Sequence, residues 1–307
     1  MINGYDIIGD IHGCFDQLDS LLRKLGYRER SGAWRHPDRQ ALFVGDLIDR
    51  GPKQLETVMA VRRMVDAGAA RCILGNHEFN AVAWSTPDPN SPGEYLRPHS
   101  KKNRKQHEAF LREVGEGSEL HEEVIHWFRR LPLWMDTGAM RVVHACWQPV
   151  ALEWLAHRVN ADGSLANHLY LEGSRRGHRT FEAIEALCKG LEVRLPEGVS
   201  FQDKDGAVRR EARIRWWELQ LDTYRQAAIG PPDLTQRIPD LPLPEHQRPE
   251  PYMGPPVFFG HYWFTGQPKV LRENAACLDY SVVRGGPLVA YRWDGEDRLT
   301  SDRLVHT

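Results

Sequence analysis

Three short apolar runs, Tyr5-Asp6-Ile7-Ile8, Ala41-Leu42-Phe43-Val44 and Arg71-Cys72-Ile73-Leu74, stand near the start of the chain, each followed by a turn rich in Gly with Asp or Asn. Their length and their β-branched and aromatic content predict buried strands of a parallel sheet. Between them the apolar spacing becomes helical. Phe15, Leu18, Leu21, Leu22 and Leu25 recur before Gly26, and Leu55, Val58, Met59, Val61, Met64 and Val65 recur before Gly68; in each case glycine is the stop signal. The result is a β-α-β-α-β series, and open parallel sheets gather ligand groups at the carboxyl ends of their strands.

Leu96 to Arg130 reads as two helices separated by Gly115 and Gly117, followed by strands at Leu133–Asp136 and Met140–His144. Strand character returns at Val257-Phe258-Phe259, Lys269–Leu271, Ala275–Leu278 and Pro287–Trp293. The intervening stretch differs in kind. It carries helical patterns around Val150–Val159, His178–Lys189 and Ala212–Ala228, a hairpin over Val193–Arg209 turning on Asp203-Lys204-Asp205-Gly206, and a proline-dense extended loop from Pro231 to Pro256. Residues 1–147 and 256–307 are therefore expected to form an α/β core, and residues 148–255 an inserted, mostly helical cap facing the substrate, not an independent domain.

Composition narrows the class. The 307 residues carry 40 Lys+Arg against 42 Asp+Glu, a net charge of −2, with 41% hydrophobic and 27% charged residues. Such a chain buries roughly 75% of its unfolded surface and needs no staples. Near-neutral charge gives no global pull toward nucleic acid or anionic lipid, so no stable nucleic-acid complex is expected, and an anionic substrate must be attracted locally. No run approaches the ~20 apolar residues of a membrane helix, and the start lacks a secretory pattern; a cytoplasmic location without membrane partners is expected. Five scattered cysteines without C-x-x-C spacing (Cys14, Cys72, Cys146, Cys188 and Cys277) predict buried thiols, not disulfides or a zinc-thiolate site.

The chemistry stands at the strand ends. The first run leads into Gly9-Asp10-Ile11-His12-Gly13, the second into Gly45-Asp46-Leu47-Ile48-Asp49-Arg50-Gly51, the third into Gly75-Asn76-His77-Glu78, and later strands into His144 and Gly260-His261. Any one of these pieces alone reads as a cap, a turn or a core histidine. Together they bring carboxylate, amide and imidazole donors, without thiolate, to one sheet edge. That set suits a hard-to-borderline divalent metal such as Mn²⁺, Fe or Zn²⁺.

In this order the motifs resemble those of the calcineurin-like metallophosphoesterases, in the branch shared by Ser/Thr protein phosphatases and bis(5′-nucleosyl)-tetraphosphatases. The resemblance covers about half the chain and implies two mixed β-sheets flanked by helices. It implies one metal ion on Asp10, His12 and Asp46, and a second on Asp46, Asn76, His144 and His261, with Mn²⁺ the first choice. It further implies direct attack of a metal-bound hydroxide on phosphorus, His77 as proton donor oriented by Asp49, and Arg50 and Asn76 on the phosphate. Glu78 is read as supporting.

Protein phosphatases continue the first late histidine as His-Gly-Gly and place a second phosphate-binding arginine between the two histidines. Here the sequence is His144-Ala145-Cys146-Trp147, closer to the nucleotide hydrolases, and Arg175, Arg176, Arg179, Arg209, Arg210, Arg213 and Arg215 carry no motif that selects one. A nucleotide phosphate of the bis(5′-nucleosyl)-tetraphosphate type is thus the expected substrate. A phosphoprotein, or an RNA end acted on by a phosphatase or nuclease, is the alternative. The basic run Arg97–Lys105 reads chiefly as a solvated helix face, Trp216-Trp217 as cap core, and Tyr262-Trp263 as an aromatic wall or core.

Overall fold

Two sheets with a shared core organise the protein in a computed structural model that describes residues 2–202, 206 and 208–307. The chain runs β1 (Gly4–Ile8), α1 (Phe15–Leu25), β2 (Arg28–Arg30), β3 (Ala33–Arg35), β4 (Arg39–Phe43), α2 (Gln54–Asp66), β5 (Ala70–Cys72) and α3 (Asn76–Trp84). It continues through α4 (Lys101–Val114), α5 (Glu119–Phe128), β6 (Trp134–Asp136), β7 (Arg141–Val143), α6 (Pro149–Ala156), α7 (Asn167–Gly173) and α8 (Arg179–Lys189). Then come β8 (Glu192–Arg194), β9 (Phe201–Gln202), β10 (Val208–Arg209), β11 (Glu211–Ile214), α9 (Tyr224–Ala227), β12 (Ala228–Ile229) and α10 (Pro232–Arg237). The last strands are β13 (Val257–Phe259), β14 (Ala275–Cys277), β15 (Val289–Trp293) and β16 (Leu304–His306).

The first sheet has the order β16-β15-β1-β4-β5, the second β14-β13-β7-β6. Both are mixed. β1, β4 and β5 are parallel to one another, as are β7, β13 and β14, whereas β15 and β6 run antiparallel to their neighbours. Ile7, Leu42, Val44 and Ile73 of the first sheet pack with Val142, Phe258, Ala276 and Leu278 of the second. Their burial fixes register, because a one-residue slip would turn each apolar set outward. On α1, the expected Leu18, Leu21, Leu22 and Leu25 face the core.

Met1–Lys189 with Pro255–Thr307 forms one compact unit and Gly190–Gly254 another. Helices α6 and α7 both pack on α8, and α7 also on α3, burying Leu155, Leu169, Tyr170 and Leu187 inside the larger unit. The separately packed segment thus begins at Gly190, not at residue 148. It holds a three-stranded antiparallel sheet, β12-β11-β8, and the pair β9-β10.

Several expected elements differ. The helix read over Ala212–Ala228 is instead β11, a turn, the one-turn α9 and β12. Ala212 and Ile214 are buried while Glu211 is exposed, the period of a strand, and β11 pairs with both β8 and β12. Val193, read as one arm of a hairpin ending at Arg209, pairs with Ala212 instead; Asp203, Lys204 and Asp205 of its expected turn lie outside the described residues. The proline-dense stretch is loop apart from α10 and a short 3₁₀ turn at Glu245–Gln247. Lys269–Leu271 is not a strand, since the chain folds back at Arg272 to meet Ala275. Among the described residues, no helix is long and apolar enough to cross a membrane.

Candidate metal centre

The parallel strands deliver all nine residues singled out in the sequence to neighbouring carboxyl ends. Asp10 and His12 follow β1, Asp46, Asp49 and Arg50 follow β4, Asn76 and His77 open α3 beyond β5, and His144 and His261 follow β7 and β13. The first two loops are zipped together by backbone bonds: Ile11 and His12 donate to the Asp46 carbonyl, Gly13 to Leu47, and Gly51 to His12. In that network His12, Asp46, Asp49 and Arg50 sit at positive φ, and His261, whose N–H bonds Asp10 Oδ2, does too, all between 50° and 82°. Each such residue costs on the order of 1–3 kcal/mol and persists only where its surroundings over-determine it. Two glycines are required by close approach. A Cβ at Gly75 would lie 2.4 Å from both the Asp46 amide nitrogen and its Oδ1, and one at Gly260 would lie 1.8 Å from Asp10 Oδ1.

Asp46 is the hub. Its Oδ2 lies 3.6 Å from His12 Nε2, 3.3 Å from His144 Nε2 and 3.8 Å from His77 Nε2. Two carboxylate–imidazole clusters share it, His12–Asp46–His77 and Asp46–His144–His261. Asn76 Oδ1 reaches within 3.1 Å of His144 Nε2. The first cluster includes His77 in place of Asp10, which sits alongside and accepts the His261 backbone N–H through Oδ2 at 3.0 Å.

These donors fit divalent metal ions. His12 Nδ1–H donates to the Ile48 carbonyl at 2.9 Å, and His144 Nδ1–H to the Val44 carbonyl at 2.7 Å. This is the outer bond that fixes a ligating imidazole and aims its other nitrogen inward. Buried Asp10 Oδ1 and His12 Nε2 have no hydrogen-bond partner, and orphaned buried polar atoms are rare without an ion or water to satisfy them. Burial pushes His12 down to about 3, so it keeps the neutral form a metal requires. Burial, then the Asp279 carboxylate, raises Asp10. Burial opposes charge on His144, yet the Asp46 carboxylate lifts it to about 10. In turn His144 and His77 hold Asp46 well below the usual carboxylate range against its own burial.

Beside the hub, His77 Nδ1–H donates to Asp49 Oδ2 at 2.5 Å, which leaves Nε2 facing Asp46 and 3.4 Å from Arg50 Nη2. Solvent reaches the outer edge of Arg50. The surrounding chain nevertheless lowers its pKa, as does Arg284, against the carboxylates of Asp46, Asp49 and Asp279. Its guanidinium lies 4.2 Å from the centre of the Trp263 ring, so Trp263 forms a wall of the site while Tyr262 is core. Glu78 accepts backbone N–H bonds from Asp46, Leu47 and Gly75 at 2.8–3.0 Å. It splints the loops, as expected, and burial followed by the Asp46 charge pushes it up to about 7.

Sequence reasoning did not single out two residues here. His107, wholly buried on α4, donates from Nδ1 to Asp49 Oδ1 at 2.8 Å. Asp279 follows β14 and accepts the backbone N–H of Trp263 at 2.7 Å and of Ser281 at 3.0 Å. The strand-end aspartate in Leu278-Asp279 was a usable signal; nothing local marked His107. The basic run is mostly an exposed helix face, with Arg104 paired to Glu116 at 2.8 Å. All five cysteines are buried, and Trp216 and Trp217 are core of the 190–254 unit.

Fold and site together define a two-sheet α/β protein with carboxylate, amide and imidazole donors gathered at one edge. The calcineurin-like phosphoesterase pattern matches residues 5–194. The chain belongs to that family. It is 51% identical over 74 residues to the asymmetrical bis(5′-nucleosyl)-tetraphosphatase PrpE of Halalkalibacterium halodurans, a match covering 24% of this chain and only 30% of that relative. It is 27% identical over 311 residues to the symmetrical bis(5′-nucleosyl)-tetraphosphatase of Vibrio parahaemolyticus serotype O3:K6, covering 97% of this chain and 98% of the relative. A protein serine/threonine phosphatase from Saccharomyces cerevisiae shares the fold, at TM-score 0.50 and 16% identity over 99% of this chain and 78% of that one.

Proposed function

We propose that the chain hydrolyses nucleotide phosphoanhydrides or esters, with bis(5′-nucleosyl)-tetraphosphates as the favoured class, at a dinuclear metal site. The observation that carries this reading is one buried carboxylate, Asp46, shared by His12 and His144 beside the His77–Asp49 pair and Arg50. Asp10, His12 and Asp46 would hold one divalent ion, and Asp46, Asn76, His144 and His261 the other, with Mn²⁺ preferred and Fe or Zn²⁺ compatible. When bound, such ions supply Lewis acidity toward phosphoryl oxygens and lower the pKa of water. Arg50 meets the phosphoryl oxygens through its planar fork of donors.

In the hydrolytic step a water oxygen joins phosphorus and gives up one proton to solvent while the bond to the leaving oxygen breaks, and His77 regains its proton from solvent afterwards. The leaving oxygen takes its proton from His77 Nε2, and Asp49 holds Nδ1–H and with it the ring orientation. The full-length relation to a symmetrical tetraphosphatase supports the nucleotide class.

With Mn²⁺, cleavage of diadenosine tetraphosphate, read by chromatography of the nucleotides, is expected to exceed phosphate release from a phosphoserine peptide. The opposite order would make the chain a protein phosphatase. Asp46→Asn should abolish both metal binding and turnover. His77→Asn should retain metal and lose about 10²–10⁴-fold on phenyl phosphate, with a far smaller loss on p-nitrophenyl phosphate, whose leaving oxygen needs little help from a proton. An active Asp46→Asn variant, or equal losses on the two esters, would refute these roles.

A further inference from the structure

The Trp263 indole carries two arginines. Arg50 lies 4.2 Å from the ring centre and Arg284 lies 5.1 Å from it. The ring also stands 5.5 Å from that of His12. Arg50 reaches inward to His77, whereas Arg284 is exposed at the end of a 3₁₀ turn, Val282–Arg284. Among the described residues, the Arg284 side chain has neither an ion pair nor a hydrogen bond. Other arginines of this unit meet carboxylates, as Arg39 meets Asp6 and Arg62 meets Glu123. Two guanidiniums on one indole repel, Arg284 opposing the charge of Arg50 while Asp46, Asp49 and Asp279 favour it, and an anion carrying more than one charge relieves that repulsion.

The pair is built into the fold. Asp279 Oδ2 accepts the Trp263 N–H and Oδ1 the Ser281 N–H, so one buried carboxylate fixes both the segment that carries the indole and the turn that carries Arg284. Ser281 Oγ adds a bond to the Phe264 carbonyl at 3.1 Å. Ser281 sits at φ 57°, and a Cβ at Gly286 would lie 1.8 Å from the Tyr280 carbonyl, so the turn is tight against its own backbone. A guanidinium stacked on an aromatic face keeps its N–H edge free for a phosphate, which a lysine ammonium cannot match.

We propose that Arg284 is a specificity-determining residue that receives a second phosphate of an oligophosphate substrate, next to the phosphoryl group held at Arg50. The proposal rests on the reading that Arg50 meets the reacting phosphoryl group. It brings a second arginine to the site from the turn after β14 and assigns it to a neighbouring phosphate. A monoester has no group to offer there.

The test compares wild type, Arg284→Ala and Arg284→Lys with Mn²⁺, using diadenosine tetraphosphate and phenyl phosphate, alongside calorimetric binding of imidodiphosphate and of inorganic phosphate. In Arg284→Ala the ratio of kcat/KM, tetraphosphate over phenyl phosphate, should fall about tenfold or more through KM, the worth of one charge-assisted bond. The imidodiphosphate Kd should rise by a similar factor relative to that of phosphate, and Arg284→Lys should fall between. A ratio moved less than threefold in a folded variant overturns the assignment, as does a wild type that cleaves phenyl phosphate and not the tetraphosphate. Arg50→Ala should depress both substrates; if it does not, the reading of Arg50 fails instead. If wild type cleaves neither, the hydrolase reading fails and the calorimetric ratio alone decides Arg284.

Discussion

Asp49 carries two imidazoles on one carboxylate, His77 on Oδ2 and His107 on Oδ1. Against its own burial, His107 and His77 hold it well below the usual carboxylate range, so it is an acceptor from both sides and its plane is fixed. His107→Leu removes one donor and leaves a buried oxygen unsatisfied, at a cost of about 1–3 kcal/mol. His107→Asn can still present an N–H at the same place. Turnover of phenyl phosphate, measured at constant pH, is therefore expected to fall about tenfold in His107→Leu, and His107→Asn should recover most of it. Equal losses in the two variants would make His107 a packing residue only. The other site residues are legible because each stands in a contiguous turn with its neighbours. His107 is not, since it meets Asp49 across 58 positions from within a helix whose spacing alone assigns it a core place.

Elements were legible where they have two faces. Helices α1 and α2 alternate buried and exposed positions, and β1, β4 and β5 are short runs closed by glycine-containing turns. Helix α3 is buried at eight of its nine positions and so shows no 3.6-residue period to read, while β2, exposed at every position, shows no period of two. The junction of α3 with α5 also sets a pH dependence. His121 accepts the Gly117 N–H at Nδ1 (3.1 Å) and lies 3.3 Å from Ser85 Oγ, at the end of α3, through Nε2. Burial, then the charge of His107, lowers its pKa. The folded state therefore binds fewer protons here than the unfolded chain does below the ordinary value of about 6.5. Its contribution is full above that value and is lost as pH falls through it. With chelator present throughout, the melting-temperature difference between wild type and His121→Ala should be largest above pH 7 and shrink toward pH 5.5. A constant or widening difference would contradict the assignment.

At the scale of the whole molecule, a net charge of −2 offers phosphate no attraction, and the site begins with a deficit of its own. Asp10, Asp46, Asp279 and Glu78 are all buried there. Burial and mutual repulsion push Asp10 and Asp279 upward, so carboxylates that fold together at this edge stand against one another until cations offset them. In the proposed reading the positive field that draws a phosphate is then bound and not encoded, apart from Arg50 and Arg284. Metal ions bind the folded arrangement and not the unfolded chain, so each site at a hundredfold excess over its Kd adds about 2.7 kcal/mol. For a chain of this size that shifts melting by on the order of 5 °C per site. Calorimetry should therefore show a drop of that order or more when chelator removes the metal, reversed by Mn²⁺. Asp46→Asn should lose the whole metal-dependent shift, because the proposed dinuclear reading gives both ions that carboxylate, whereas His12→Ala should lose about half. Identical melting of wild type with and without chelator would mean that the convergent carboxylates are held by protein contacts alone.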